Sequence, residues 1–114
     1  MPNLAALTNA QSAVSIGNLI ALKSISIVII RGGVAQPAQT VRLETLSSQR
    51  QVTTEGGQVY MCDSYILGYK NHPTIADTSV KPGDRFVNNS ISFEVIQVMP
   101  GHVDCIQAWL RVRT

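Results

Sequence analysis

The side chains able to do chemistry are few: two histidines, two cysteines and seven carboxylates in a chain of 114 residues. A general acid–base pair would have to combine His72 with Asp77 or Asp84, an imidazole oriented by a carboxylate being a common proton-transfer arrangement. His72, however, precedes Pro73 in a turn signal beside Lys70 and Asn71, which is the setting of a solvated histidine. A zinc site would have to gather Cys62, Cys105, His72 and His102, which are the right ligand types. Only His102 and Cys105 stand close in sequence. The chain has no phosphate-cradling glycine loop and no nucleophile elbow. The expectation is a non-enzyme with no catalytic residue, metal or cofactor.

Small β-barrels bind single-stranded nucleic acid by stacking bases on exposed aromatics in a basic groove. Tyr60, Tyr65, Tyr69 and Trp109 are candidates for stacking, and Arg42, Arg85, Arg111 and Arg113 for phosphate contact. Against this, the basic residues are spread along the chain and interleaved with Glu44, Asp63, Asp77, Asp84, Glu94 and Asp104. The formal net charge of +2 demands no polyanionic partner. Charged residues make up only 14% of the chain, well below the usual quarter of a soluble domain. A surface so poor in charge points to burial against other subunits.

The elements that must position these groups read as strands. At 45% apolar and 5% aromatic, the core must be built from Val, Ile and Leu, and the β-branched pair favour strands. Lys23–Arg31 alternates Ile25, Ile27 and Ile29 against Ser24 and Ser26, and Gly32-Gly33 turns it toward a partner strand at 39–46, where Val41 and Leu43 alternate with polar residues. Another strand spans Val59–Leu67. Pro82-Gly83 presets a turn, a strand enters at Asp84, Asn88-Asn89 reverses it, and Ile91, Phe93 and Val95 line one face of its partner. A last strand, Val103–Arg113, follows the turn at 99–102. Six strands with short turns describe a mainly β fold, a small antiparallel barrel or sandwich over 23–114. Its expected core is Ile27, Ile29, Val41, Leu43, Phe86, Phe93, Val95 and Ile106. Cys62 and Cys105 sit in apolar alternating runs and read as reduced core residues.

Two segments stand outside this scheme. Residues 1–22 form an arm with no charged side chain from Pro2 to Leu22 yet with Leu4, Leu7, Val14, Ile16, Leu19, Ile20 and Leu22. Thr8 and Gln11 have capping-box spacing and Gly17 suits a helix stop, so 9–16 is expected to be extended or briefly helical. Residues 47–58 carry one apolar side chain, Val52, and read as a long polar loop, usually a functional feature in a compact domain. The arm and the loop supply the candidate inter-subunit contacts: Leu4, Leu7, Val14, Ile16, Arg50, Val52 and Glu55. No basic stretch opens the chain, which argues against a secretory signal. The most apolar run, 16–30, is too short and too polar to span a bilayer.

The segment 65–101, followed by Ile106–Val112, resembles the small neck proteins of tailed bacteriophages, the head-closure or head-tail joining proteins. The match rests on Gly83-Asp84-Arg85-Phe86 opening a hairpin, then Phe93-Glu94-Val95-Ile96 with Val98, and Ile75-Ala76-Asp77 upstream. The resemblance implies a virion structural protein located in the neck and assembled in the host cytoplasm. Such a subunit would form a homo-oligomeric ring, hexameric or dodecameric, that closes the channel after packaging. Its partners would be further copies of itself, a portal or adaptor protein, and a tail or tail-terminator protein, with only weak nonspecific contact to packaged DNA and none to membrane. A tail-terminator or minor tail subunit is the nearest alternative, and a nucleic-acid-binding barrel the alternative of another class.

Overall fold

The computed structural model describes residues 17–99 and 105–113. Residues 17–22 are the described part of a helix, α1, which is followed by β1 (Ser24–Ile27), β2 (Ile30–Arg31), β3 (Val34–Ala35), β4 (Gln39–Thr53), β5 (Val59–Tyr69), β6 (Arg85–Asn88), β7 (Ile91–Val98) and β8 (Cys105–Arg113). All eight strands belong to one sheet in the order β1-β4-β5-β8-β7-β6-β2-β3, antiparallel at every pairing. Strands β1 and β2 lie on one stretch of chain that bends at Val28-Ile29. Its first half pairs with β4 and its second with β6, so a single segment links both ends of the sheet. No ladder joins β1 to β6 in the strand order. The sheet therefore stays open, and the mainly β fold is sandwich-like rather than a closed barrel.

Two apolar clusters fill it. Ile27, Ile29, Val41, Ile66, Phe86, Phe93, Val95, Ala108 and Leu110 form the first, with Leu43 packed against it. Phe86 and Phe93 are direct partners across β6 and β7, and their rings stack with centroids 5.2 Å apart. Val52, Cys62, Ile96 and Trp109 form the second. Val95 joins one cluster and its neighbour Ile96 the other because successive residues of a strand face opposite sides; at 95–97 the β7–β8 register also shifts. Seven of the eight expected core residues lie in or against the first cluster. Ile106 does not: it is half-exposed opposite Gly68, a partner with no side chain to pack on. Ala108 and Leu110 supply the contribution of β8 to this cluster instead.

The long loop is not a loop. β4 runs through it to Thr53, pairing Arg50 with Cys62 and Val52 with Tyr60, so only 54–58 turns the chain. Residues 46–49 stand against Asp63 alone, an enlarged bulge of four residues against one. Most of this hairpin's outer half faces water on both sides, which erases the alternation that betrays a half-buried strand. Further differences are smaller. The hairpin after β6 turns on Asn89 and Ser90, both at positive φ (50° and 65°), one residue later than Asn88-Asn89. That is the geometry of a two-residue primed turn. Gly17 does not stop a helix but lies within α1. An ideal Cβ on it would meet His72 Cδ2 at 2.9 Å, so a side chain there would have to displace the imidazole. The proposed helix at 9–16, the contacts at Leu4, Leu7, Val14 and Ile16, and the turn at Pro100–His102 lie outside the described residues.

Candidate interaction surfaces

The turn that opens β6 is built around one carboxylate. Asp84 is 2% exposed; its oxygens accept Arg31 Nε at 3.0 Å and Arg31 Nη2 at 2.8 Å, and Oδ2 also accepts the Lys81 N–H at 2.8 Å. Gly83 sits at φ +92°, a region open to glycine at no steric cost. Its N–H donates to Val95 O. A fork-on-fork arginine pair of this kind is among the stronger polar contacts. It ties β2 to the β6 turn, 53 residues apart in sequence.

Beside it, Glu94 on β7 gathers three arginines. Arg111 Nε donates to it at 2.8 Å and Arg113 Nη1 at 3.0 Å, while Arg85 Nε stays at 3.8 Å. Arg85 and Arg111 are the direct cross-strand partners of Glu94, so the row runs across three strands. Two positive charges remain over there, on side chains that keep a third to a half of their surface in water. Such pairs hold register more than they add stability. Arg111 also lies over Tyr60, 4.9 Å from the ring centre. An open groove of about 630 Å³ runs past Tyr60, Glu94 and Arg111, walled by the β4–β5 turn on one side and Pro82-Gly83 on the other. A second, of about 500 Å³, lies between 36–40 and 75–79.

The candidate contact residues of the former loop separate. Val52 is buried in the second cluster. Arg50 lies over Trp109, 4.7 Å from its ring centre. Glu55 stays exposed at the hairpin turn and borders the first groove. The aromatics divide too: Trp109 and Tyr69 are buried, whereas Tyr60 and Tyr65 keep some exposure. Trp109 is held from below by Tyr65, edge to face at 5.7 Å, and its indole N–H points at Met99 Sδ. A base has no face of Trp109 to stack on.

The described residues weighed for catalysis are committed to other partners, and His102, weighed for zinc, lies outside the described residues. Asp84 is committed to Arg31 and Lys81, Asp77 accepts the Asn71 N–H at 2.9 Å, and His72 Nδ1 accepts the backbone N–H groups of Thr74 and Ile75. Among the described residues no group of three or more His, Cys, Asp or Glu could hold a metal ion. Cys62 and Cys105 are both buried. Burial, reinforced by the charge of Asp63 and opposed by Arg111, pushes the Cys62 thiol up to about 11, far from the range of a nucleophilic thiolate. Among the described residues no helix is long and apolar enough to cross a membrane.

Exposed aliphatic side chains gather on the other side of Arg85. Val28, Ile30 and Val87 are 43%, 40% and 64% exposed. Ile30 pairs directly with Arg85, and Val87 follows Arg85 by two positions on the same strand face. The sequence reading missed this strip, because it placed Val28 and Ile30 in one regular strand without knowing which neighbour each half would find. No protein-family model matches the chain, and no curated protein matches it.

Proposed function

We propose that this protein is a structural subunit of a tailed-bacteriophage neck, a head-closure or head-tail connector that assembles into a ring between portal or adaptor and tail. The observation that carries the reading is the aliphatic strip of Val28, Ile30 and Val87 beside Arg85, in a chain so poor in charge. Exposed aliphatic side chains beside an arginine are of the kind found in protein–protein contacts. It joins the resemblance over Gly83–Val98, which supplies the class. A ring needs two different complementary surfaces on each copy. The strip is one, and the uncharged arm with the β4–β5 turn at Glu55 offers the other. In this role the protein has no catalytic duty, acts in the virion, and meets DNA only through sequence-independent charge.

Light scattering with negative-stain microscopy of the purified protein tests the proposal: rings of six or twelve copies are expected, alone or on addition of the portal-side partner. A monodisperse monomer that binds single-stranded oligonucleotides at micromolar concentration, and loses that binding on Tyr60→Ala, would replace it with the nucleic-acid reading. The burial of Trp109 weighs against that outcome, since stacking of each base needs an exposed ring face.

A further inference from the structure

We propose that the face carrying Arg85, Arg111 and Arg113 is a site for the phosphate backbone of a nucleic acid, held by charge and without contact to the bases. Along the sequence the nine lysines and arginines lie scattered among acids, but the fold gathers three of them. Side chains at alternate positions of a strand share a face. Arg85 on β6, Glu94 on β7 and Arg111 on β8 are direct cross-strand partners. Arg113 follows Arg111 by two positions, opposite Ser92. Three guanidinium groups thus converge on one carboxylate, and that carboxylate does not use them up, because each arginine has five N–H donors. Arg111 commits Nε and Nη2 to Glu94 Oε1, at 2.8 and 2.7 Å. Arg113 gives Nη1 to Oε2 at 3.0 Å, and Arg85 Nε stands 3.8 Å from the same oxygen. The remaining donors of Arg85 and Arg113 are therefore brought beside one another, on side chains that water reaches, over a carboxylate that is largely buried.

Among the described residues no other carboxylate pairs with these arginines. Asp63 accepts the Ser64 hydroxyl, and Glu55 stands on the far wall of the groove that Arg111 borders. The shape of the surplus charge selects its partner. Neighbouring strands stand about 4.8 Å apart, so the row from β6 to β8 spreads its charge over about 10 Å. One strand of a duplex sets a phosphate about every 3.4 Å along the axis, and two or three fall within that length. A lone carboxylate would answer one guanidinium, whereas a row of planar forks suits a row of phosphoryl oxygens. Bases have nothing to stack on: Trp109 is buried, and Tyr60 has Arg111 over its ring and its hydroxyl on Gln58. The site is complete in a single copy, so it holds whether or not rings assemble.

The test is fluorescence anisotropy of the full chain with a labelled DNA duplex, and with a single strand of the same length, over a range of salt from low to physiological. Two or three phosphate contacts should give a slope of log affinity on log salt of about −2 to −3 on the duplex, and the duplex should bind at least as well as the single strand. Arg85→Gln and Arg113→Gln should each weaken binding alike on unrelated sequences and reduce that slope by about one. Lys23→Gln, the same loss of charge on an exposed residue before β1, should change neither. An equal effect of Lys23→Gln, or no binding at low salt, would overturn the proposal. A preference for the single strand would overturn it by showing that bases are read. Displacement of the duplex by polyglutamate at equal charge would overturn it in favour of an acidic protein partner. Should the arginine variants fold poorly, the Nε–H resonances of Arg85, Arg111 and Arg113 in the parent decide. They must shift on addition of the duplex, and their indifference also overturns the proposal.

Discussion

Removing the Asp84 carboxylate should destabilise the fold by about 3 kcal/mol, and the figure can be worked from its surroundings. Breaking a buried ion pair by deleting one member costs about 3–5 kcal/mol, because the surviving charge is stranded. Here the survivor, Arg31, keeps 29% of its side chain in water, which discounts the penalty to the lower end. The Lys81 amide, on an exposed residue, regains water and adds little. For a chain of this length an unfolding entropy of about 2.1 cal/mol/K per residue makes 3 kcal/mol a fall of about 12 °C in Tm. Asp84→Ala and Asp84→Asn should both show it in thermal and urea unfolding followed by circular dichroism. Replacing both partners, Arg31→Met with Asp84→Leu, should recover part of the loss, since a buried pair exchanged for apolar groups of similar size is often neutral. A loss below about 1 kcal/mol in both single variants would mean that the pair behaves as an exposed one, and the account of the turn as organised by Asp84 would be wrong.

Phe93→Ala should cost about 3–5 kcal/mol, being the truncation of a buried ring stacked on Phe86; a parent-like urea midpoint would place Phe93 outside the core. Gly68→Ala should cost about 3 kcal/mol or more, because its Cβ would fall 2.4–2.6 Å from Thr78 Oγ1, Cβ and Cγ2, atoms held in place by the Thr78–Tyr69 hydrogen bonds. Because burial raises the Cys62 thiol from 9.0 to about 11, the unfolded chain gives up this proton first. The contribution to stability is complete below pH 9 and is lost as pH rises through 11, by about 2–3 kcal/mol, a drift that the Cys62→Ala variant should lack when the two are unfolded side by side. Val28→Thr, Ile30→Thr and Val87→Thr together should abolish self-association in light scattering while moving Tm little, as surface changes usually do.

What the sequence shows of this fold follows from where water lies. Strands with one wet face announce themselves: Ile25 and Ile27, Val41 and Leu43, Phe93 and Val95 alternate with polar residues and all pack as that pattern implies. Strand chemistry is invisible where both faces are wet, as in the outer half of β4, whose Ser47-Ser48-Gln49 run has the composition of a loop and the hydrogen bonds of a hairpin. It is also ambiguous where both faces are dry, as at Val95-Ile96, whose two neighbours pack into different clusters on opposite faces. Pairings across long sequence separation leave no local mark at all. Nothing near Arg31 foretells Asp84, and nothing near Gly17 foretells the edge of His72. A histidine before a proline reads as solvated because the amides it accepts are backbone groups, which carry no signature in the sequence.

Most of the residues on which the proposed neck reading rests have a structural task here. Gly83 supplies the positive φ, Asp84 the buried anchor, Phe86 and Phe93 the stacked pair, Glu94 the cross-strand hub, and Val95 and Ile96 the two clusters. A pattern made of such residues is held by the needs of a hairpin that opens with a tight turn, and any protein building that hairpin meets the same needs. Such a pattern therefore speaks first for an architecture, and for an assembly only through what that architecture displays. In the proposed assembly, partner choice rests on side chains that the fold does not use: Val28, Ile30 and Val87, the open side of Arg85, and Glu55 at the hairpin turn. Substitutions in the first set should lower stability and association together, since a loosened turn spoils whatever surface it supports. Substitutions in the second should separate the two, and that separation distinguishes a surface shaped for a partner from one that is merely exposed.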